Sequence, residues 1–288
     1  MNRRACAVAV AAITAIAMLL LPGCGDGDSD PTDGGGENGK GEVSLFRTLA
    51  DFEGAKIADI TGSSHPRVMA DTMPIFFSTF FGTVQEQVDA LKSGVVDAMS
   101  SDLPIAMYTV LKNPDLVIFP VIPVIPDRYG FAVTKGSDLG IYGNDKLNAL
   151  REDGTLEELE DIWFSTDASR KVLPVLTHKG DSFNGNAGTI RYGFFDAIAP
   201  MSYVCPDKGP LGYEIDVATR IAYELNMEIE FIPMEFPDLL TALIRNQTVD
   251  MVGGTMSITP ERMASVDFVG PNYEGGIVLV IKKDRLGI

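Results

Sequence analysis

Residues 253–262 read Gly-Gly-Thr-Met-Ser-Ile-Thr-Pro-Glu-Arg, placing two glycines, several hydroxyls and one guanidinium in a single short stretch. Val249, Met251 and Val252 form an apolar run that stops at Gly253-Gly254, as a buried strand ending in a turn does. Thr259 is a good helix N-cap, Pro260 suits the first helical position, and Glu261 complements the helix dipole. The spacing therefore predicts a strand, a glycine turn at Gly254, and a helix start that carries Arg262. Free backbone N–H groups, the Thr255 and Ser257 hydroxyls and the guanidinium would meet near the strand's end. That set suits a carboxylate, gripped bidentately by Arg262, with its remaining lone pairs filled by hydroxyl and amide donors. From spacing alone, the same residues also fit an ordinary helix start with a surface arginine.

A second polar group sits earlier in the chain. Lys56–Ile60 reads as a short strand running into Thr61-Gly62-Ser63-Ser64-His65. Gly62 lets the backbone approach a ligand closely, and Ser63 and Ser64 would head the next helix with free N–H groups. Thr83 and Glu86 form a capping box; Val84, Val88 and Leu91 follow at helical spacing and Gly94 closes the helix. The next buried strand, Val95–Met99, leads to Asp102. An Asp at that place either caps the helix that begins at Leu103-Pro104 or projects into a cleft and takes an ammonium.

Composition narrows the function classes. The chain has 288 residues, 45% of them hydrophobic, enough for one large domain or two lobes with separate cores. Its formal charge is −17, and removing Arg3 and Arg4 with a leader takes it to about −19. So acidic a chain repels nucleic acid and anionic lipid headgroups. Of the 3 cysteines, Cys6 and Cys24 fall in and at the end of the leader, and Cys205 lies in the mature domain, so no disulfide framework or CxxC metal knuckle is possible within it. His65 and His178 lie in glycine- and serine-rich loops and form no ligand cluster. No metal or cofactor is expected.

Residues 1–23 carry two arginines, an apolar stretch from Ala5 to Leu21 and a small residue before Cys24, which is the pattern of a secretory leader. Leu21-Pro22-Gly23-Cys24 resembles the bacterial lipobox, which implies lipidation of Cys24. Residues 24–41 hold almost no apolar side chains and read as a disordered tether. Together they place the mature chain in the cell envelope, lipid-anchored on the outer side of the cytoplasmic membrane.

The text GGTMSITPER, followed by VDF and PNYEGG, resembles the first-lobe signature of family 3 extracellular solute-binding proteins. The stretch 210–243, PLGYEIDVATRIAYELNMEIEFIPMEFPDLLTAL, is similar to that family's opening half-lobe. DFEGAKIADITGSS and VQEQVDALKSGVVDAMSSD resemble its second lobe, and REDGTLEELEDIWF resembles the end of its domain. The likeness implies an α/β, two-lobed type 2 periplasmic-binding-protein fold, each lobe a mixed sheet flanked by helices, with a ligand cleft between them. It implies that Arg262 clamps a ligand α-carboxylate with help from Thr255 and Ser257. It further implies that Gly62, Ser63 and Ser64 face the ligand, that Asp102 takes its α-ammonium, and that Phe236 helps to sandwich it. Phe195 stands where relatives that bind cationic amino acids often carry an acid, and Ile198 where many carry an aromatic. A lysine or arginine ligand is therefore not expected, although Asp196 keeps a carboxylate near the cleft.

The order of the pieces differs from the family's. The expected layout is second lobe at 42–122, closing part of the first lobe at 123–164, linker at 165–188 and opening half of the first lobe at 189–288. A circular permutation and a fragment of a tandem array both fit; each piece is present once, which favours permutation. The echo of ALKSGVVDAM in ALIRNQTVDM fits two lobes built on one βα plan. The function implied is that of a monomeric, lipid-tethered receptor that hands a small amino acid or similar zwitterion to an ABC permease, with no bond made or broken. The alternatives are a prephenate- or arogenate-type dehydratase on the same fold, and a sensor domain acting in trans. Release of phenylpyruvate would mark the first, and neighbouring genes the second.

Overall fold

A computed structural model describes residues 45–120, 125–165 and 183–287. The leader, the tether, Cys24, His178 and most of the expected linker lie outside the described residues. Among those described, no helix is long and apolar enough to cross a membrane.

The described chain begins with β1 (Lys56–Ile60), α1 (His65–Met69), β2 (Phe77–Phe81), α2 (Val84–Ser93), β3 (Ala98–Asp102), α3 (Leu103–Lys112) and β4 (Leu116–Ile118). The capping box expected for α2 is present: Thr83 Oγ1 accepts from the Glu86 amide at 3.2 Å, and Glu86 accepts from the Thr83 amide at 3.1 Å. Next come β5 (Ile125–Thr134), α4 (Asp138–Glu152) and α5 (Thr155–Phe164). Gly154 separates these two helices, as the sequence indicates, with φ +84°. α4 starts earlier than its apolar spacing predicts. Gly140 and Gly143, which carry no hydropathy signal, pack its first turns closely on Val133 and Val269.

The rest comprises β6 (Thr189–Phe194), β7 (Ala197–Ile198), β8 (Ser202–Cys205), β9 (Gly209–Leu211), α6 (Tyr213–Glu224), β10 (Glu228–Pro233), α7 (Leu239–Thr241), β11 (Met251–Gly253), α8 (Pro260–Met263) and β12 (Val266–Lys282). The strands of the main sheet run in the order β10-β6-β11-β5-β12-β3-β1-β2, and β4 also pairs with β12. β7, β8 and β9 form a small antiparallel sheet of their own.

β5 and β12 join two lobes. Val266–Val269 of β12 pair with Phe131–Thr134 of β5, the register shifts, and Tyr273–Ile277 pair with Ile125–Tyr129. Ile277–Val280 then leave β5 and pair with β3. The range 189–288, read from sequence as half of one lobe, is thus divided, because β12 is long enough to start in the first lobe and finish in the second.

The cores divide in the same way. One apolar cluster gathers Phe131, Leu147, Trp163, Tyr192, Ile221, Leu243 and Val252 around the first-lobe sheet. The second lobe is buried on both faces of its sheet. Ile277, Leu279 and Ile281 point into a cluster with Phe52, Ile57 and Met69, while Val278 and Val280 point into another with Val88, Leu91 and Met99. Side chains alternate across a strand, so a strand covered on both faces must be apolar at every position, and 277–281 reads Ile-Val-Leu-Val-Ile. Leu279→Ala is expected to destabilise the protein by about 2–5 kcal/mol in urea unfolding, against about 0.5 kcal/mol or less for the exposed Val204→Ala. Equal midpoints for the two variants would contradict the shared-strand core.

Candidate functional site

The polar groups marked out by sequence come from strand ends in both lobes. From the second lobe, β1 delivers Ser63 and Ser64 through the turn at Gly62, and β3 ends at Asp102. From the first, β11 ends at Gly253 and the chain passes Gly254, Thr255 and Ser257 into α8, where the Thr259 hydroxyl accepts from the Arg262 amide at 3.2 Å. Gly254 has φ +139°, and a Cβ there would lie 2.9 Å from that of Phe195, so only glycine fits. Thr255 has φ +52°, a left-handed conformation that a β-branched residue adopts only under strain, at about 1–3 kcal/mol.

These groups converge on one crevice. Ser63, Ser64 and Asp102 line one wall, and Gly254, Thr255, Ser257 and Arg262 line the other. Phe195, Ile198 and Phe236 complete the lining, the two rings meeting edge-on with centroids 5.9 Å apart. The guanidinium carbon of Arg262 lies 5.9 Å from the Phe236 ring centre. Gly62 sits at the mouth of the cleft with Arg67 and Glu261. Asp196, in the turn between β6 and β7, is not among the residues that line the crevice. The chain turns there, so Phe195 faces inward and its neighbour does not.

The two walls are in contact. Ser64 Oγ donates to Ser257 Oγ at 2.9 Å, and Ser257 Oγ donates to Asp127 at 2.6 Å. Arg67 and Glu261 pair across the mouth; both side chains are well exposed, so this pair adds little stability. The crevice between the walls holds a cavity of about 30 Å³.

Several buried groups in and behind the crevice carried no motif. Asp102 is 3% exposed. Its Oδ1 accepts from the Tyr129 hydroxyl at 2.6 Å and lies 3.2 Å from His65 Nε2. His65, expected in an open loop, is instead the first residue of α1 and is buried between β1 and β3. Burial raises the Asp102 carboxyl, but His65, Tyr129 and Thr255 outweigh it and hold the carboxyl below its ordinary value. Arg262 is pulled down by burial and supported by Asp127 and Asp102; a guanidinium stays cationic throughout. Ser63 Oγ is buried without a hydrogen-bond partner, so it keeps a donor and an acceptor for whatever enters.

Behind Thr255 lies Glu214 of α6, which is fully buried. It accepts the Thr255 amide at 3.1 Å and the Asn272 side chain at 3.3 Å. The helical pattern of α6 turns Glu214 and Asp216 outward, yet both are buried: Asp216 is held by Trp163 Nε1 at 3.2 Å and Arg220 at 2.9 Å.

This is a clamshell geometry: two α/β lobes, a pair of strands joining them, and a guanidinium and a carboxylate lining one crevice. Residues 190–288 match the sequence profile of bacterial extracellular solute-binding proteins, family 3. It is 30% identical over 94 residues to the L-arginine-binding protein of Pseudomonas aeruginosa, covering 33% of this chain and 36% of that one. It is 38% identical over 74 residues to the arginine-binding extracellular protein ArtP of Bacillus subtilis, covering 26% and 29%. Among solved structures, an ancestral cyclohexadienyl dehydratase is 35% identical over 27% of this chain and 32% of its own, with a TM-score of 0.25. The chain thus spans about a third of the length of the curated relatives it matches.

Burial raises the Glu214 carboxyl from 4.5 to about 7, against the hydrogen bonds from Thr255 and Asn272. Because the folded value lies above the unfolded one, the stability this group contributes is complete below about pH 4.5 and is lost as pH rises through about 7. Glu214→Gln should remove that part of the pH dependence. Thermal melts of the two proteins from pH 4.5 to 7.5 are expected to converge at the acid end and to separate as pH rises, wild type falling relative to the variant. Parallel curves would show that Glu214 is ionised throughout.

Proposed function

We propose that this protein is an extracytoplasmic receptor for a small amino acid or similar zwitterion, which it hands to an ABC permease in the membrane. The observation that carries the reading is the placement of Arg262 and Asp102 on opposite walls of one crevice, so that closing the lobes brings a cationic and an anionic grip onto one small molecule. Arg262 takes the carboxylate, with Thr255, Ser257 and the unpartnered Ser63 hydroxyl filling its other lone pairs. Asp102 takes the ammonium. Phe195, Ile198 and Phe236 leave an apolar surround for the side chain. With Asp196 outside the crevice, no carboxylate stands where the cationic head of lysine or arginine would need one, so a neutral side chain fits better. Desolvation on closure strengthens both charged contacts. The receptor makes and breaks no bond, acts as a monomer and works from a lipid tether at Cys24. The unusual order of the pieces is read as a circular permutation, since elements from both halves of the chain share one sheet.

The experiment is a thermal-shift screen of the twenty L-amino acids, followed by calorimetry with whichever binds. Arg262→Ala is expected to weaken that binding by about 2–3 kcal/mol, because a buried carboxylate would be left unpaired. Unchanged affinity would defeat the clamp. Tethering is tested separately: Cys24→Ser should move the protein from the membrane pellet to the soluble fraction of a bacterial host, and a variant that stays in the pellet argues against lipidation at that residue.

A further inference from the structure

We propose that His65 occupies the ammonium subsite as an imidazolium in the ligand-free receptor and gives up a proton when an amino acid binds. The inference rests on the zwitterion reading above and adds what happens to the acidic grip.

The hydrogen bonds around the ring carry it. Ser100 Oγ lies 2.5 Å from Asp59 Oδ1 and 3.0 Å from His65 Nδ1. A serine hydroxyl has one proton; given to Asp59, it leaves an oxygen that accepts from Nδ1–H. The other ring nitrogen, Nε2, lies 3.2 Å from Asp102 Oδ1, and that oxygen already accepts from the Tyr129 hydroxyl, so it too receives an N–H from the ring. A ring that donates from both nitrogens is an imidazolium. Asp59 is wholly buried on β1 and its second oxygen has no hydrogen-bond partner; burial raises its carboxyl above the ordinary value, and the hydrogen bond from Ser100 and the charge of His65 work against that rise.

The charges facing the ring come from four elements: Asp59 on β1, Asp102 on β3, Asp127 on β5, and Arg262 on α8, which in turn faces both Asp127 and Asp102. Burial pulls the His65 ring down, but Asp102, by charge and hydrogen bond, together with Asp59 and Asp127, outweighs it and holds the ring above its ordinary value.

An incoming ammonium needs the place that Nε2–H holds on Asp102. Two cations on one buried carboxylate repel, so the exchange releases the proton: imidazolium–Asp102 plus ammonium gives neutral His65, ammonium–Asp102 and one proton to solvent. Ser100 keeps the remaining proton on Nδ1, which leaves the Nε2 lone pair free to accept an ammonium N–H. His65 is then a second acceptor in the subsite and favours a primary ammonium over a quaternary one, which has no N–H to give.

The chain has 2 histidines, so nitrogen-15 histidine spectra of the mature protein resolve them once His178→Gln assigns the other. Without added solute at pH 7, His65 should show both ring nitrogens protonated; with the amino acid that the thermal-shift screen selects, it should become the neutral Nδ1–H form. Calorimetry in phosphate and in Tris at pH 7 should show release of about one proton per amino acid bound. Affinity should rise about tenfold per pH unit below the His65 titration. His65→Gln should bind that amino acid with no proton release and a flat pH profile. A neutral His65 in the ligand-free spectrum, or wild-type binding with the same heat in both buffers, overturns the exchange while leaving the receptor reading intact. If none of the twenty amino acids binds, the receptor reading falls and the exchange with it, and the ligand-free spectrum still reports the imidazolium separately.

Discussion

A carboxylate shut between two lobes must have its lone pairs filled from inside the protein or by a solute, and Asp102 is that carboxylate. Its hydrogen-bond partners are His65 in the second lobe and Tyr129 on a joining strand, and Thr255 in the first lobe also favours its charged form. The walls of the crevice are therefore tied by the desolvation cost of one ion as well as by apolar contact. A buried carboxylate that loses a partner is destabilised by several kcal/mol, on the order of 3–5, which exceeds what the exposed Arg67–Glu261 pair can contribute. The closed geometry rests on the interior of the cleft more than on its rim.

Around that ion the rest of the site is arranged for pre-organisation. Glu214 and Asn272 fix the Thr255 backbone from behind, in a conformation that a threonine would not choose alone. Strain of this kind persists only where surrounding contacts over-determine it, and it collects at functional positions. Ser257, held between Ser64 and Asp127, links the second lobe to β5 through a hydroxyl that also lies beside Arg262. The backbone carbonyl of Ser257 accepts from the Arg262 guanidinium at 3.0 Å, which aims the side chain inward.

The parts of the site that could be read from sequence are the parts that are local. Residues 253–262 contain strand end, glycine turn, cap and arginine in order, so their geometry follows from neighbours. The capping box of α2 and the break at Gly154 were legible for the same reason. His65, Tyr129 and Glu214 were not. His65 meets Asp102 across 37 positions and Glu214 meets Thr255 across 41, and no periodicity within either segment announces the partner. Glu214 and Asp216 also break the usual rule that acids on a helix face water, because α6 is enclosed on nearly all sides. The early start of α4 was hidden by glycines that pack through their lack of a side chain. Asp196 was misplaced by a single residue, since one step along a turn reverses the direction of a side chain.

The joining ribbon of β5 and β12 has a mechanical consequence. Two antiparallel strands held by a ladder of hydrogen bonds resist sliding past each other but flex readily out of their plane, most of all at the irregular step between Val269 and Tyr273. The lobes should therefore swing as near-rigid shells about one axis, instead of shearing or unravelling. Tyr129 lies on that ribbon and bonds directly to Asp102, so the angle of the hinge and the electrostatics of the pocket are geared to one another through a single phenol.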